Sequence, residues 1–341
     1  MAELMGKQTA KLQHPPQVES FAACVGKKEG EGPLGTLFDA VHRDDTLGQE
    51  NWEKAESALF ADAVTRCIDK AGLQPQQVRM LLGGDLLNQL AASSFAGREL
   101  GIPLLGLFGA CSTMAESLLV GAMILEGGCA DRVVCAASSH FCTAERQFRF
   151  PLELGTQRPP SAQWTVTGAG AVLLRSMAQD GAQTVLTHVT VGKPVDYGVT
   201  DANNMGAAMA PAACATITAH LRDTGRSPED YDLIVTGDLG AVGSELLHQL
   251  LRDEGISVAP ERHLDCGLSI FSPQQDAHAG GSGCGCSASV LCAKLLPELA
   301  QGKLRRILFV ATGALMSTTT GNEGESIPGI AHAAALERMM I

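Results

Sequence analysis

Short continuous apolar runs alternate with longer mixed stretches along most of this chain, the pattern of buried strands separated by helices. "NWEKAESALFADAVTRCIDKAG" reads as a helix closed by Gly72, and "VRMLLGGDLL" as a buried strand entering a glycine turn. "ASSFAGRELG" is a second helix. "PLLGLFGA" then leads to Cys111, where Ser112 and Thr113 open a helix running to about Glu126 and stopped by Gly127 and Gly128. "RVVCAASS" is a strand, and "WTVTGAGAVLL" and "TVLTHVTV" are strands around a tight glycine-rich turn. The first 50 residues read as irregular.

The second half replays this order. "YDLIVTGDLG" matches "VRMLLGGDLL", with Asp238 falling on Asp85, and "RDEGI" matches "RELGI". "CSASVLCAKLLPELAQGKLRRILFVATG" from Cys286 overlays "CSTMAESLLVGAMILEGGCADRVVCAAS" from Cys111 without a gap, placing Gly302 on Gly127. This is an internal duplication, with halves at 1–180 and 181–341 joined near 178–190. Pro297 falls inside the second long helix and predicts a kink or a split there. Strands alternating with helices imply mostly parallel sheets covered on both faces. Two such halves around a pseudo-twofold axis would set the two Cys-led helices side by side, their N-termini close together.

Composition narrows the function. In 341 residues, 45% are hydrophobic and 18% charged, as in a well-buried globular protein, and the formal net charge of −12 argues against nucleic acid as a partner. The 11 cysteines are scattered through apolar stretches, which suggests a reducing compartment. None shows a metal spacing; Cys284-Gly-Cys286 has no second pair to complete a site. No metal and no cofactor is expected. The N-terminus has no apolar run of signal-peptide length, and no window approaches a membrane span, so a soluble chain is expected.

Duplicated halves, a cysteine at the start of a buried helix and a glycine-rich turn, "TGAGAVLL" (167–174), resemble the thiolase and ketoacyl synthase superfamily. "GACSTMAESL", "SSHFCTAERQFRFPLELGTQRPPSAQWTVTGAGA", "GDLGAVG" and "DCGLSIF…DAHAGGSGCGCSA" are more closely similar to the stage V sporulation AD family of spore-forming Firmicutes, over nearly the whole chain. The resemblance implies an α/β, thiolase-like fold of two duplicated halves in a layered αβαβα arrangement. It also implies binding of dipicolinic acid (pyridine-2,6-dicarboxylate), free or as its calcium chelate, for uptake into the developing spore. Membrane proteins of the same sporulation operon are the implied partners, with a peripheral place on the spore inner membrane and a part in germination. Superfamily members commonly dimerise through their first-half sheets, which makes a homodimer compatible with the resemblance.

The candidate chemistry centres on Cys111. The positive end of a helix dipole lowers a thiol pKa, and in the superfamily this position is the acyl-accepting nucleophile. It reads here as a ligand-pocket wall, with an acyl nucleophile or a buried small residue as alternatives. Condensing enzymes need two further groups to polarise a thioester and stabilise an enolate. Where many synthases carry a histidine, "TGDLGAVG" places Asp238, which works against condensation; the plainer reading is a helix cap, the role expected for Asp85. The second group aligns in two ways: His278 of "DAHAGGSGCG" keeps the thiolase histidine, or Cys284 stands where an asparagine would be. His278 is otherwise a loop histidine bonded to backbone. In "SSHFCTAERQFRF", His140, Arg146 and Arg149 offer donors for carboxylates beyond a strand end, helped by N–H groups at the two helix starts; alternatively the arginines are solvated or pair with Glu145 and Glu153. The runner-up function is a thiol-dependent acyltransferase or condensing enzyme of the ketoacyl synthase type. A third is a scaffold that has lost its ligand.

Overall fold

The computed structural model describes residues 2–148, 158–176 and 181–340. The first part of the chain supplies β1 (Glu3–Met5), β2 (Thr9–Lys11), β3 (Gln17–Gly26), α1 (Lys27–Gly30), β4 (Ala40–His42), α2 (Trp52–Lys70), β5 (Met80–Gly84), α3 (Ala91–Leu100), β6 (Leu104–Gly106), α4 (Thr113–Glu126), β7 (Arg132–Ser139), α5 (Phe141–Phe148), β8 (Trp164–Thr165) and β9 (Gly168–Arg175). The second part supplies β10 (Ala182–Thr190), α6 (Met205–Thr224), β11 (Leu233–Thr236), α7 (Gly240–Asp253), β12 (His263–Asp265), α8 (Cys266–Ile270), β13 (Gly281–Ser282), α9 (Cys284–Val290), α10 (Leu296–Ala300), β14 (Arg306–Ala314), α11 (Thr318–Asn322) and β15 (Gly329–Met340).

The strand order repeats. On one side the sequence across the sheet is β3-β9-β7-β5-β6; on the other it is β10-β15-β14-β11-β12. In both, the first three strands run antiparallel and the last two pairings are parallel. The two sets meet edge to edge at β3 and β10 through a single aligned pair, Val185 with Gln17. Three apolar clusters define the layers. One fills the outer face of the first set beneath α2 and α3, one the outer face of the second beneath α6 and α7, and the largest lies between the sets around α4 and α9. The result is α, β, α, β, α, and α4 packs directly on α9.

Two elements differ from the expectation, and a third follows it. The first 50 residues hold β3, a ten-residue strand at the inner edge of its sheet. Its Ala-Ala-Cys centre carries little strand propensity; pairing with β9 supplies the rest. The glycine-rich "TGAGAVLL" is strand rather than turn: β9 takes Gly168 to Arg175. The glycines are there because α9 crosses that strand. A Cβ on Gly170 would lie 2.3 Å from the Ala288 carbonyl oxygen. Gly170→Ala will therefore cost roughly 2–3 kcal/mol through forced overpacking, measured as a lower urea midpoint. Finally, the second long helix does split, through a π turn over Leu291–Leu295 between α9 and α10. Pro297 has no N–H to donate into the preceding turn, and the wider turn absorbs that gap.

Candidate functional site

Cys111 sits on the turn between β6 and α4. Ala110 before it is held at φ 49°, a left-handed conformation rare for a residue with a side chain. Hydroxyls lock the turn: Ser112 Oγ donates to the Gly109 carbonyl at 2.7 Å and Thr113 Oγ1 to the Ala110 carbonyl at 2.7 Å. The backbone of Gly313, near the end of β14, lies against it, so close that a Cβ there would be 2.4 Å from the Gly109 oxygen. The thiol is buried, 6% exposed.

Asp238 meets this thiol from the other half. Its carboxylate accepts from the Gly283 N–H at 2.9 Å, from Thr312 Oγ1 at 2.9 Å, and from the Cys111 thiol. Burial pushes its carboxyl up to about 7 against the pull of those three donors. Burial first, then the Asp238 charge, also pushes the Cys111 thiol well above the ordinary thiol value. The lowered pKa expected from the helix dipole is overturned: desolvation and a facing carboxylate outweigh a terminal partial charge. Both causes favour the neutral thiol at Cys111. Iodoacetamide should therefore label exposed Cys129 first and leave Cys111 largely unmodified in the folded chain, as peptide mass spectrometry will read.

The two matching aspartates have parted roles. Asp85 caps α3, accepting from Ser93 N at 2.7 Å and Ser93 Oγ at 2.6 Å. Asp238 does not cap α7. Asp265, at the end of β12, does so, accepting from Leu239 N at 2.9 Å and Gly240 N at 3.1 Å. That frees Asp238 to face Cys111.

The remaining candidates fall as follows. Cys284 opens α9, fully buried beside Cys111, and its thiol donates to the Ser138 carbonyl at 2.8 Å. His140 is buried with both ring nitrogens used: Nε2 donates to the Asp45 carbonyl at 2.8 Å, and Nδ1 accepts from Cys142 N at 3.1 Å. Arg146 pairs with Glu53 and lies over the Trp52 ring. His278 stands in an exposed turn at φ 50°, its ring 3.5 Å from the Asp276 carboxylate. Arg149 lies outside the described residues. The helix starts expected to offer free N–H groups are partly occupied: Gly283 N by Asp238, Gly285 N by Ser139, and Ser112 N by Gly109. Sequence reasoning missed Thr312, Gly283 and Asp265, because each acts across a long chain separation with no local pattern.

A cavity of about 430 Å³ opens beyond the ends of β14 and α5. Gln147, Thr200, Ser317, Thr318, Asn322 and Ser326 line it with neutral hydroxyls and amides, and Glu325 adds a carboxylate. Its lining resumes at Met316, three residues after Gly313. No helix among the described residues is long and apolar enough to cross a membrane.

A paired, duplicated five-layer fold with a cysteine at the start of its central helix is the thiolase-like fold of the condensing enzymes. Solved structures share it. Against 3-oxoacyl-[acyl-carrier-protein] synthase III from Aquifex aeolicus the TM-score is 0.57 at 14% identity, over 95% of this chain and all of that one (100%). Against the tetronic acid condensing enzyme AbyA1 it is 0.60 at 19%, over 94% and 99%. OleA of Xanthomonas campestris gives 0.58 at 15%, over 95% and 96%. The family described as Stage V sporulation protein AD matches residues 6–337. Stage V sporulation protein AD of Bacillus subtilis (strain 168) is 46% identical over 336 residues, 98% of each chain. The chain belongs to the stage V sporulation protein AD family, and its role lies in sporulation.

Proposed function

We propose that this chain binds dipicolinic acid and serves its uptake into the developing spore, working at the spore inner membrane beside membrane proteins of the same operon. The observation that carries the reading is Asp238. A condensing enzyme needs a basic or hydrogen-bond-donating group facing its nucleophile, to polarise a thioester and hold an enolate. Here a buried acid faces a neutral thiol, and a second thiol, Cys284, donates its proton to a backbone carbonyl. The scaffold is kept, while the groups that drive carbon–carbon bond formation are replaced.

The ligand form follows from charge. A bare dianion would need cations around it, since burying an uncompensated charge costs several kcal/mol. His140 and Arg146 are engaged elsewhere, and the cavity beside β14 offers neutral donors and one carboxylate. A one-to-one calcium chelate carries no net charge and suits those groups, with Glu325 turned to the metal. Neither Cys111 nor Asp238 is among the residues lining the cavity; Cys111 lies against Gly313, three residues before the lining resumes at Met316. The cavity volume lies in the range of small-molecule sites.

Calorimetric titration with dipicolinic acid, with and without equimolar calcium, tests the reading. Saturable one-site heat, stronger with calcium, is the expected result. Incubation with radiolabelled acyl-CoA should leave no adduct on Cys111. A stable acyl-enzyme with turnover, and no heat from dipicolinic acid, would instead make the chain an acyltransferase.

A further inference from the structure

Three elements with no shared sequence motif bring Cys24, His42 and Asp62 together on the outer side of the first-half sheet. Cys24 lies in β3, His42 closes the neighbouring parallel strand β4, and Asp62 projects from the middle of α2. One ligand atom from each lies within 4.8 Å of the other two. Cys24 is fully buried, while the side chains of His42 and Asp62 are 28% and 26% exposed, so the cluster has a closed floor and a rim open to water.

We infer that Cys24, His42 and Asp62 form a binding site for a borderline divalent cation of the zinc class. Thiolate, imidazole and carboxylate together make a ligand set that zinc accepts in tetrahedral sites. The open rim leaves the fourth position to water, the arrangement of a labile rather than a closed structural site. Asp62 is already oriented for the task. Its Oδ2 lies 2.9 Å from His42 Nε2, while its Oδ1 accepts from Arg66 Nε at 2.8 Å. A cation taken by Oδ2 would leave Arg66 on the second oxygen, where it fixes the carboxylate's orientation as outer partners of metal ligands do. On binding, Cys24 gives up its thiol proton to solvent. In the metal-free chain His42 Nε2 donates to Asp62 Oδ2; on binding, the ring's hydrogen moves to Nδ1, so that Nε2 presents a lone pair. Thiolate and carboxylate then balance the divalent charge. Calcium is excluded as the occupant, because it takes six or more oxygen ligands and has no use for a thiolate.

The site is independent of the Cys111 region and of dipicolinic acid. Its test uses the full chain, stripped with a chelator, titrated with Co²⁺ and then with Zn²⁺. Expected are a thiolate-to-cobalt charge-transfer band saturating at one ion per chain, displacement by equimolar zinc, and no displacement by excess calcium. Cys24→Ala should lose the band. His42→Gln, at a rim position that leaves folding intact, should weaken zinc binding at least about tenfold. Cys129→Ser, which removes an exposed thiol elsewhere, should keep full binding. No band in the wild-type chain, a band that survives Cys24→Ala, wild-type affinity in His42→Gln, or loss of binding in Cys129→Ser would each overturn the assignment.

Discussion

On the proposed reading, Cys111→Trp will abolish dipicolinic acid binding, while Cys111→Ala will hold it within about tenfold of the wild-type chain. The thiol has no free space around it. The backbone of Gly313 lies against its turn, and Asp238 and Gly283 hold its other side. An indole there must push the end of β14 outward, and with it the segment that walls the cavity. Alanine removes one donor from Asp238 but leaves Gly283 N and Thr312 Oγ1 in place. Cys111→Asp is the intermediate case: a second carboxyl facing Asp238 shares its proton with the first and adds a charge to a closely packed turn. An enzyme would order the variants differently, since alanine at its nucleophile ends activity. Calorimetry on all three, after circular dichroism confirms folding, gives the answer; equal binding by all of them moves the ligand away from Cys111.

Between roughly pH 6.5 and 8 the folded chain will lose about 2–3 kcal/mol of stability, the reverse of the usual rise away from acid. Burial pushes the carboxyls of Glu29 and Asp238 up to about 7 and that of Glu56 up to about 8. In the unfolded chain these groups have already released their protons by pH 5. The folded state therefore holds more protons, and raising the pH through 7 and 8 removes that advantage. Histidines act in the other direction, at lower pH. Burial holds His188, His263 and His332 down at about 4 and His220 at about 3, so the unfolded chain gains protons below pH 6.5 that the folded chain refuses. Below pH 6.5 the two sets oppose each other and the profile is shallow; above it only the carboxyls act. Urea midpoints from pH 5 to 8.5 should show this asymmetry. Asp238→Asn and Glu56→Gln should each flatten the alkaline limb. A profile that climbs steadily from pH 6 to 8.5 would refute the account.

Much of the fold was legible because the chain states it twice. The strand at Leu233–Thr236 and the one at Met80–Gly84 carry the same apolar run before the same Gly-Asp pair, and both feed a helix packed on their sheet. Pro297 marked the break in the second central helix. What stayed hidden is built from small residues. In β15, "GIAHAAALERMM", and in β3 the strand state comes from neighbours on both sides rather than from local preference. The site was legible at Cys111, whose turn chemistry is local. At Asp238 sequence gave two readings, cap or substitute for a catalytic base. The choice between them rests on Asp265, which takes over the cap from a strand 27 positions later (265 − 238). Arg146 and His140 looked like anion donors because their partners, Glu53 and the Asp45 carbonyl, lie about 90 positions upstream.

The edge pairing of β2 has a consequence for how this protein is made. β2 pairs with β10, on the opposite half from the strands that follow it in the chain. The hydroxyls of Thr9 and Thr190, 3.0 Å apart in the finished fold, are separated by 181 positions. A ribosome adding 5–20 residues each second would leave that N-terminal segment without its partner for roughly 10–40 s. Until β10 emerges, the first-half sheet is free to assemble while its leading β1–β2 hairpin lacks a sheet to join. One long-range step of folding is then a stitch that ties the oldest residues of the chain to a strand made much later.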